Sequence, residues 1–194
     1  ACRSLDCVTV FAKDLETASA AFAVMDAFDS ADPFAQVNID SNTARTEGRR
    51  SGPLKLGVIK PSQLKFFGDA HYQQAYDAAL AGIQADTSIE LIELDFEPFT
   101  EAASLLYSGP WVAERTLACQ EALNQYPDKM NAVVRGIIQG GTDLPATACF
   151  KAQYQLKALK RACDAQLAHV DAMLTPTAGR LYTLEELEAE PVLY

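Results

Sequence analysis

The chain has 194 residues, of which 49% are hydrophobic and 22% are charged, and its mean hydropathy is −0.04. This composition is typical of a soluble globular domain and excludes disorder as the main state. The formal net charge of −10 argues against nucleic acid as a partner, because an acidic surface repels phosphate groups. No apolar run is long enough to cross a bilayer, so we expect no membrane partner.

The five cysteines are odd in number and form no CxxC pair; they are Cys2, Cys7, Cys119, Cys149 and Cys163. The sequence also has no glycine-rich phosphate loop and no cluster of Cys and His with metal-ligand spacing. We therefore predict no cofactor, no metal and no disulfide, and a cytoplasmic location. The chain begins with Ala1 and enters an apolar run almost at once, which indicates a piece of a longer protein.

The first third of the chain combines one short apolar run, one helix and one polar segment. Residues Val8–Ala12 are rich in β-formers and predict a strand. Asp14 is placed to cap a helix whose apolar positions run from Leu15 to Met25 at helical spacing. Residues 37–53 are polar and without periodicity, which predicts an exposed loop.

The segment from Leu54 to Phe96 predicts a βαβ unit. Leu54–Ile59 and Ile89–Phe96 have strand patterns, and a helix is predicted from about Asp69 to Ile83 between them. A strand, a crossover helix and a second strand imply a parallel pair with a right-handed connection. The fold class is therefore α/β.

The remainder of the chain is mostly helical by its periodicity. Four helices and a final strand are predicted: Thr100–Tyr107, a helix from Pro110 that carries Val112, Thr116, Cys119 and Leu123, a helix from Pro127 through Ile138, a long helix from Leu144 to His169, and the strand-like run Val170–Leu174.

No catalytic constellation is visible from spacing alone. The two histidines, His71 and His169, each stand at one end of a predicted helix and have no evident nucleophile or carboxylate partner. Two exposed histidines are the simpler interpretation. The acidic residues between Glu185 and Glu190 have the pattern of one solvated helix face.

One stretch, "LLYSGPWVAER", allows two interpretations. It places Arg115 eight residues after Tyr107, across a Ser-Gly-Pro break. A half-buried arginine beside a helix start, held by the ring of Trp111 and joined by the tyrosine hydroxyl, suits a planar carboxylate. The alternative is a structural salt bridge from Arg115 to Glu114, Glu121 or a distant carboxylate. The residues alone favour the salt bridge.

Five segments resemble one enzyme family. "CRSLDCVTVFAKDLETA", "SADPF", "FFGD", "LLYSGPWVAER" and "DAMLTPTAGRLYTLEEL" are similar to allophanate hydrolases of the amidase-signature family, from Cys2 to Tyr194. The resemblance implies an α/β/α fold around a mixed sheet with flanking helices. It also implies hydrolysis of allophanate, the N-carboxylated form of urea, to ammonia and carbon dioxide. Tyr107 and Arg115 match the family's substrate-binding tyrosine and arginine, with the arginine facing the carboxylate.

The sequence departs from the family pattern in its catalytic residues. The family uses a serine nucleophile, a second serine and a lysine, and neither the Gly/Ser-rich signature nor the lysine segment is present here. Lys13, Lys55 and Lys60 do not match the missing base. We therefore expect residues 1–194 to be a partial amidase domain that supplies carboxylate recognition, with no catalytic residue of its own and no hydrolysis by the chain alone.

Two other interpretations remain open. In the first, the chain is a non-catalytic α/β module on an amidase scaffold. In the second, it is part of an amidase of other specificity. The resemblance implies the remainder of the amidase domain as a partner, and also a homodimer, which the family often forms.

Overall fold

The computed structural model describes residues 2–35 and 52–191. Residues 2–35 belong to one compact unit and residues 52–191 to a second. The predicted loop over residues 37–53 lies outside the described residues except for its last two positions.

The first unit contains helix α1, Leu15–Met25. It begins as predicted, because the carboxylate of Asp14 accepts a hydrogen bond from the backbone N–H of Thr17 at 2.8 Å. The strand predicted at Val8–Ala12 is wrong, since these residues have irregular backbone and the side chain of Phe11 is 94% exposed. A β-rich segment becomes a strand only where a neighbour completes its hydrogen bonds, and no segment within residues 2–35 does so.

The second unit is built on a three-stranded parallel sheet. Its strands are β1, Leu54–Ile59, β2, Ile89–Leu94, and β3, Ala172–Leu174, in the order β2–β1–β3. Helix α2, Ala70–Gln84, connects β1 to β2, so the predicted βαβ unit is confirmed. These three strands include no antiparallel member, and the mixed character of the sheet stays a prediction.

Six further helices lie within residues 52–191. They are α3, Glu97–Ser108, α4, Trp111–Ala118, α5, Gln120–Gln125, α6, Ala132–Gln139, α7, Ala146–Leu167, and α8, Leu184–Ala189.

Three helices differ clearly from the prediction. Helix α3 begins at Glu97, three residues before the predicted Thr100. The helix expected from Pro127 through Ile138 is instead a 3-10 turn over Pro127–Lys129 followed by α6. The side chain of Asn131 accepts hydrogen bonds from two N–H groups of the first turn of α6, which starts the helix there. The helix expected after Pro110 is divided at Cys119 into α4 and α5.

The long helix α7 is the platform on which α3 packs. Leu105 of α3 is buried, as are Ala152, Leu159 and Cys163 of α7. Burial raises the pKa of the Cys163 thiol. Because α3 carries Tyr107 near its end, this packing positions one of the two predicted site residues.

Candidate functional site

A hydrogen-bonded clamp fixes the start of α3. The side-chain amide of Gln63 donates to the carboxylate of Asp95 at 2.7 Å, and the N–H of Phe96 donates to the side-chain oxygen of Gln63 at 2.8 Å. The N–H of Asp95 donates to the side-chain oxygen of Gln166, near the end of α7, at 3.2 Å. The hydrogen bond from Gln63 is the main cause that lowers the pKa of Asp95. The clamp therefore joins the ends of β1, β2 and α7 where α3 begins.

Tyr107 lies in the last turn of α3, and a tight turn follows it. The N–H of Gly109 donates to the carbonyl of Leu105 at 2.9 Å. A Cβ atom at Gly109 would crowd that carbonyl, with the Leu105 carbonyl carbon 3.1 Å away, so the turn requires glycine for lack of space. Pro110 then occupies the N-cap position of α4, one residue earlier than a first-turn proline.

Arg115 lies in the last turn of α4, and its side chain turns back towards α3. The central guanidinium carbon is 5.5 Å from the ring centre of Tyr107, within the range of a cation–π contact. The ring in contact is thus that of Tyr107, and a contact with Trp111 stays a prediction. The structure brings together the two residues that the sequence selected.

The charge of Arg115 is not neutralised by the described part of the chain. No carboxylate of residues 2–35 or 52–191 lies within ion-pair distance of it, so the alternative salt bridge to Glu114 or Glu121 is not formed there. The Nε atom is buried and has no hydrogen-bond partner among those residues. The side chain is half-buried, and the Tyr107 beside it is 64% exposed. A half-buried cation with unused donors, next to an accessible phenol, can bind a planar anion.

Sequence reasoning missed a second arginine with a similar setting. Arg180 follows β3 and lies 4.5 Å, guanidinium carbon to ring centre, from Tyr182. It donates to the carboxylate of Glu186 on α8, and this bond is the main cause that lowers the pKa of Glu186 and raises that of Arg180. Thr183 and Glu186 form a capping box, whose Thr-x-x-Glu spacing was visible in the sequence. Arg180 therefore has a structural role: its ion pair with Glu186 holds the residues after β3 to α8.

An apolar cleft of about 300 Å³ lies elsewhere in the second unit. It runs between α2 and the residues after β3, and its lining includes Tyr72, Tyr76, Leu80 and Pro176. Burial is the main cause that raises the pKa of the Tyr76 hydroxyl, which has no partner in the described chain. Neither Tyr107 nor Arg115 lines the cleft, so the cleft is separate from the pair that these two residues form.

Other sequence-based expectations concern residues away from this pair. His71 and His169 are both exposed, which confirms the simpler interpretation. Among the described residues, no group of three or more His, Cys, Asp or Glu side chains is arranged to hold a metal ion. Within the same ranges, no helix combines the length and apolar character needed to cross a membrane.

This chain is similar to the amidase family and to proteins named urea amidolyase and allophanate hydrolase. A family model described as Amidase matches residues 1–190. A urea amidolyase of Lachancea kluyveri is 31% identical over the whole chain, and one of Saccharomyces cerevisiae is 32% identical. This chain spans 10% of the length of each of these relatives.

Solved structures give the same result for the fold. The crystal structure of the K. lactis urea amidolyase superposes with a TM-score of 0.88 at 32% identity, covering all of this chain and 11% of the other. A serine-to-alanine variant of Kluyveromyces lactis allophanate hydrolase superposes with a TM-score of 0.82 at 30% identity, covering 99% of this chain and 31% of the other. The match over nearly the full chain, in sequence and in fold, shows that this chain belongs to the amidase family.

Proposed function

We propose that the chain is part of the amidase domain of an allophanate hydrolase and supplies recognition of the substrate carboxylate. The observation that carries the proposal is the uncompensated Arg115 guanidinium beside Tyr107, in a segment that matches the family motif. Similarity to an allophanate hydrolase and to urea amidolyases supports the choice of substrate. Tyr107 and Arg115 are the proposed substrate-binding residues.

The chemistry of allophanate suits this pair. The substrate is a flat ureido group that ends in a carboxylate, and guanidinium offers two parallel hydrogen bonds to a carboxylate. The Tyr107 ring, in cation–π contact with the guanidinium, favours one orientation of the Arg115 side chain. Partial burial removes competing water, which strengthens the charge-assisted bonds. Arg115 therefore fixes the carboxylate end, so that the amide to be cleaved is presented at a set distance.

The rest of the catalytic apparatus is proposed to lie outside this sequence. The family's serine nucleophile belongs to a Gly/Ser-rich signature and its lysine to a separate segment, and these 194 residues contain neither. Residues 1–194 are thus proposed to be a partial amidase domain whose partner is the remainder of that domain. A cytoplasmic homodimer without a cofactor is the proposed form of the whole protein.

The test is ammonia release by the full-length protein that contains this chain, with allophanate and with biuret as a neutral comparison. We expect turnover of allophanate and a clear preference for it over biuret. The 194-residue chain alone should release no ammonia above a no-protein control, because it lacks the nucleophile and base. Full-length protein that acts on biuret as well as on allophanate would point to an amidase of other specificity. Full-length protein without any amidase activity would indicate a non-catalytic module.

A further inference from the structure

The helix that carries Arg115, α4, is held against the end of α6 by a side-chain hydrogen bond. The Thr116 hydroxyl lies 2.6 Å from the carbonyl of Ile138 and 3.0 Å from that of Val112, one turn back in α4. A hydroxyl has one proton, so the shorter contact, which reaches α6, is the stronger donor bond. The Ile138 carbonyl also accepts the N–H of Gly141 at 3.1 Å. Both lone pairs of that buried carbonyl are thereby used.

Gly141, two residues after α6, lies directly against the backbone of α4. A Cβ atom there would lie 2.6 Å from the Val112 carbonyl oxygen and 2.7 Å from the Cα of Ala113, and it would also overlap the Thr116 hydroxyl. Two of these three obstacles are backbone atoms, which cannot rotate away as a flexible side chain would. The backbone of Gly141 has no unusual φ, so glycine is needed here for space alone. Any side chain at this position must change the spacing between α4 and the turn that holds Gly141.

A displacement of α4 moves Arg115 directly. The helix has only eight residues, and Arg115 immediately precedes Thr116. The guanidinium has no ion-pair partner within residues 2–35 and 52–191 to hold it in place, so its position depends on the helix and on the Tyr107 ring. A misplacement of about 1 Å at a binding group can cost up to about 100-fold in rate.

We propose that Gly141 and Thr116 are positioning residues for substrate recognition and act through Arg115. The inference rests on the proposed function, because it requires that Arg115 binds the allophanate carboxylate. Neither residue touches the substrate. Their role is to set the depth and angle at which α4 presents the guanidinium.

Steady-state kinetics of the full-length enzyme with allophanate test this role. We expect Gly141→Ala to raise KM and to lower kcat/KM by about 10- to 100-fold, as the displacement of α4 predicts. Thr116→Val keeps the shape of the side chain and removes its hydroxyl, and we expect a loss of about fivefold, the equivalent of one hydrogen bond. Thr116→Ser keeps the hydroxyl and should restore most of the wild-type KM.

Gly136→Ala is the matched control, since Gly136 lies in the same helix α6 and a Cβ there meets nothing within 4 Å. It should leave KM unchanged and keep or raise the melting temperature, because alanine favours helix over glycine. Melting curves of all variants separate a general loss of folding from a change in substrate binding. If Gly141→Ala does not fold, the Thr116 pair still tests the proposal.

Double variants decide whether the effect passes through Arg115. If it does, Gly141→Ala and Thr116→Val should lower kcat/KM further by less than about twofold in an Arg115→Gln background. Full additive losses in that background would overturn the positioning role, as would an unchanged KM in both single variants. If Arg115→Gln itself leaves KM for allophanate unchanged, the proposed function fails, and that result is distinct from failure of the positioning role alone.

Discussion

Arg115 and Arg180 have similar aromatic surroundings but differ in whether a carboxylate of the described chain pairs with them. Each guanidinium faces a tyrosine ring, at 5.5 Å and 4.5 Å, and each has a buried Nε without a hydrogen-bond partner in the described chain. Arg180 donates to Glu186, whereas no carboxylate in the described ranges pairs with Arg115. The difference shows how a single acidic residue separates an arginine that holds two segments together from one that remains able to bind an anion.

The contrast also explains why Arg115 can remain charged without a partner. The cost of leaving it unpaired is reduced by the Tyr107 ring and by the exposed side of the pair. A carboxylate ligand would remove that residual cost, which would favour binding of the proposed substrate, allophanate, over a neutral amide.

The largest effect should come from exchanging the same residue type at the two positions. In the full-length enzyme, Arg115→Gln should lower kcat/KM for allophanate. We expect a loss of transition-state stabilisation of about 1.5–3 kcal/mol, the value of one charged hydrogen-bonding interaction. Arg115→Lys should recover only part of this loss, because an ammonium group cannot make the paired bonds. Arg180→Gln should lower the melting temperature and leave KM unchanged. The reverse pattern, with KM altered by Arg180→Gln alone, would remove Arg115 from the proposed site.

Much of this fold could be predicted from the sequence wherever the determining contacts are local. The βαβ unit follows from apolar periodicity and from Asp69, whose carboxylate accepts the Tyr72 N–H at 2.9 Å as the cap of α2. The strand expected at Val8–Ala12 failed because pairing depends on a distant partner. The start of α6 was misplaced because the Asn131 cap prevailed over Pro127, although both signals were in the sequence.

The candidate site shows the same division between local and distant contacts. Tyr107 and Arg115 are only eight residues apart, and the Ser-Gly-Pro turn between them brings the end of α3 to α4. The hydrogen bond from Thr116 to Ile138 joins residues 22 positions apart, and no motif in the sequence predicts it. The role of Gly141 likewise depends on how α4 and α6 pack, which is a tertiary property.

A smaller effect should separate the two contributions of Tyr107. Tyr107→Phe keeps the ring beside Arg115 and loses one hydroxyl, so we expect kcat/KM for allophanate to fall by about 0.5–1.5 kcal/mol or less, below the Arg115→Gln loss. Tyr107→Leu also removes the ring and should cost about 0.5–1 kcal/mol more. The matched variant Tyr182→Leu, at the other arginine, should not change KM. Equal kinetics for wild type and Tyr107→Leu would show that the ring does not hold the guanidinium for binding.

The smallest effect is a pH dependence that only the Arg180 region should have. The hydrogen bond from Arg180 lowers the pKa of Glu186 below its usual value of 4.5. The carboxylate's contribution to stability is therefore fully present above about pH 5 and is lost as the pH falls through the lowered pKa. The amides of Leu187 and Glu190 donate hydrogen bonds to the carbonyls of Thr183 and Glu186. In the wild type we expect the hydrogen-exchange protection factors of these two amides to decrease once the pH is below about 5. Glu186→Gln should show low protection at every pH, because it lacks the titrating charge.

The α4 amide of Cys119, bonded to the Arg115 carbonyl at 3.0 Å, should show no matching step, since no carboxylate in the described chain pairs with Arg115. A step of equal size at Cys119 would mean that Arg115 is neutralised by a carboxylate after all, and the distinction between the two arginines would be lost.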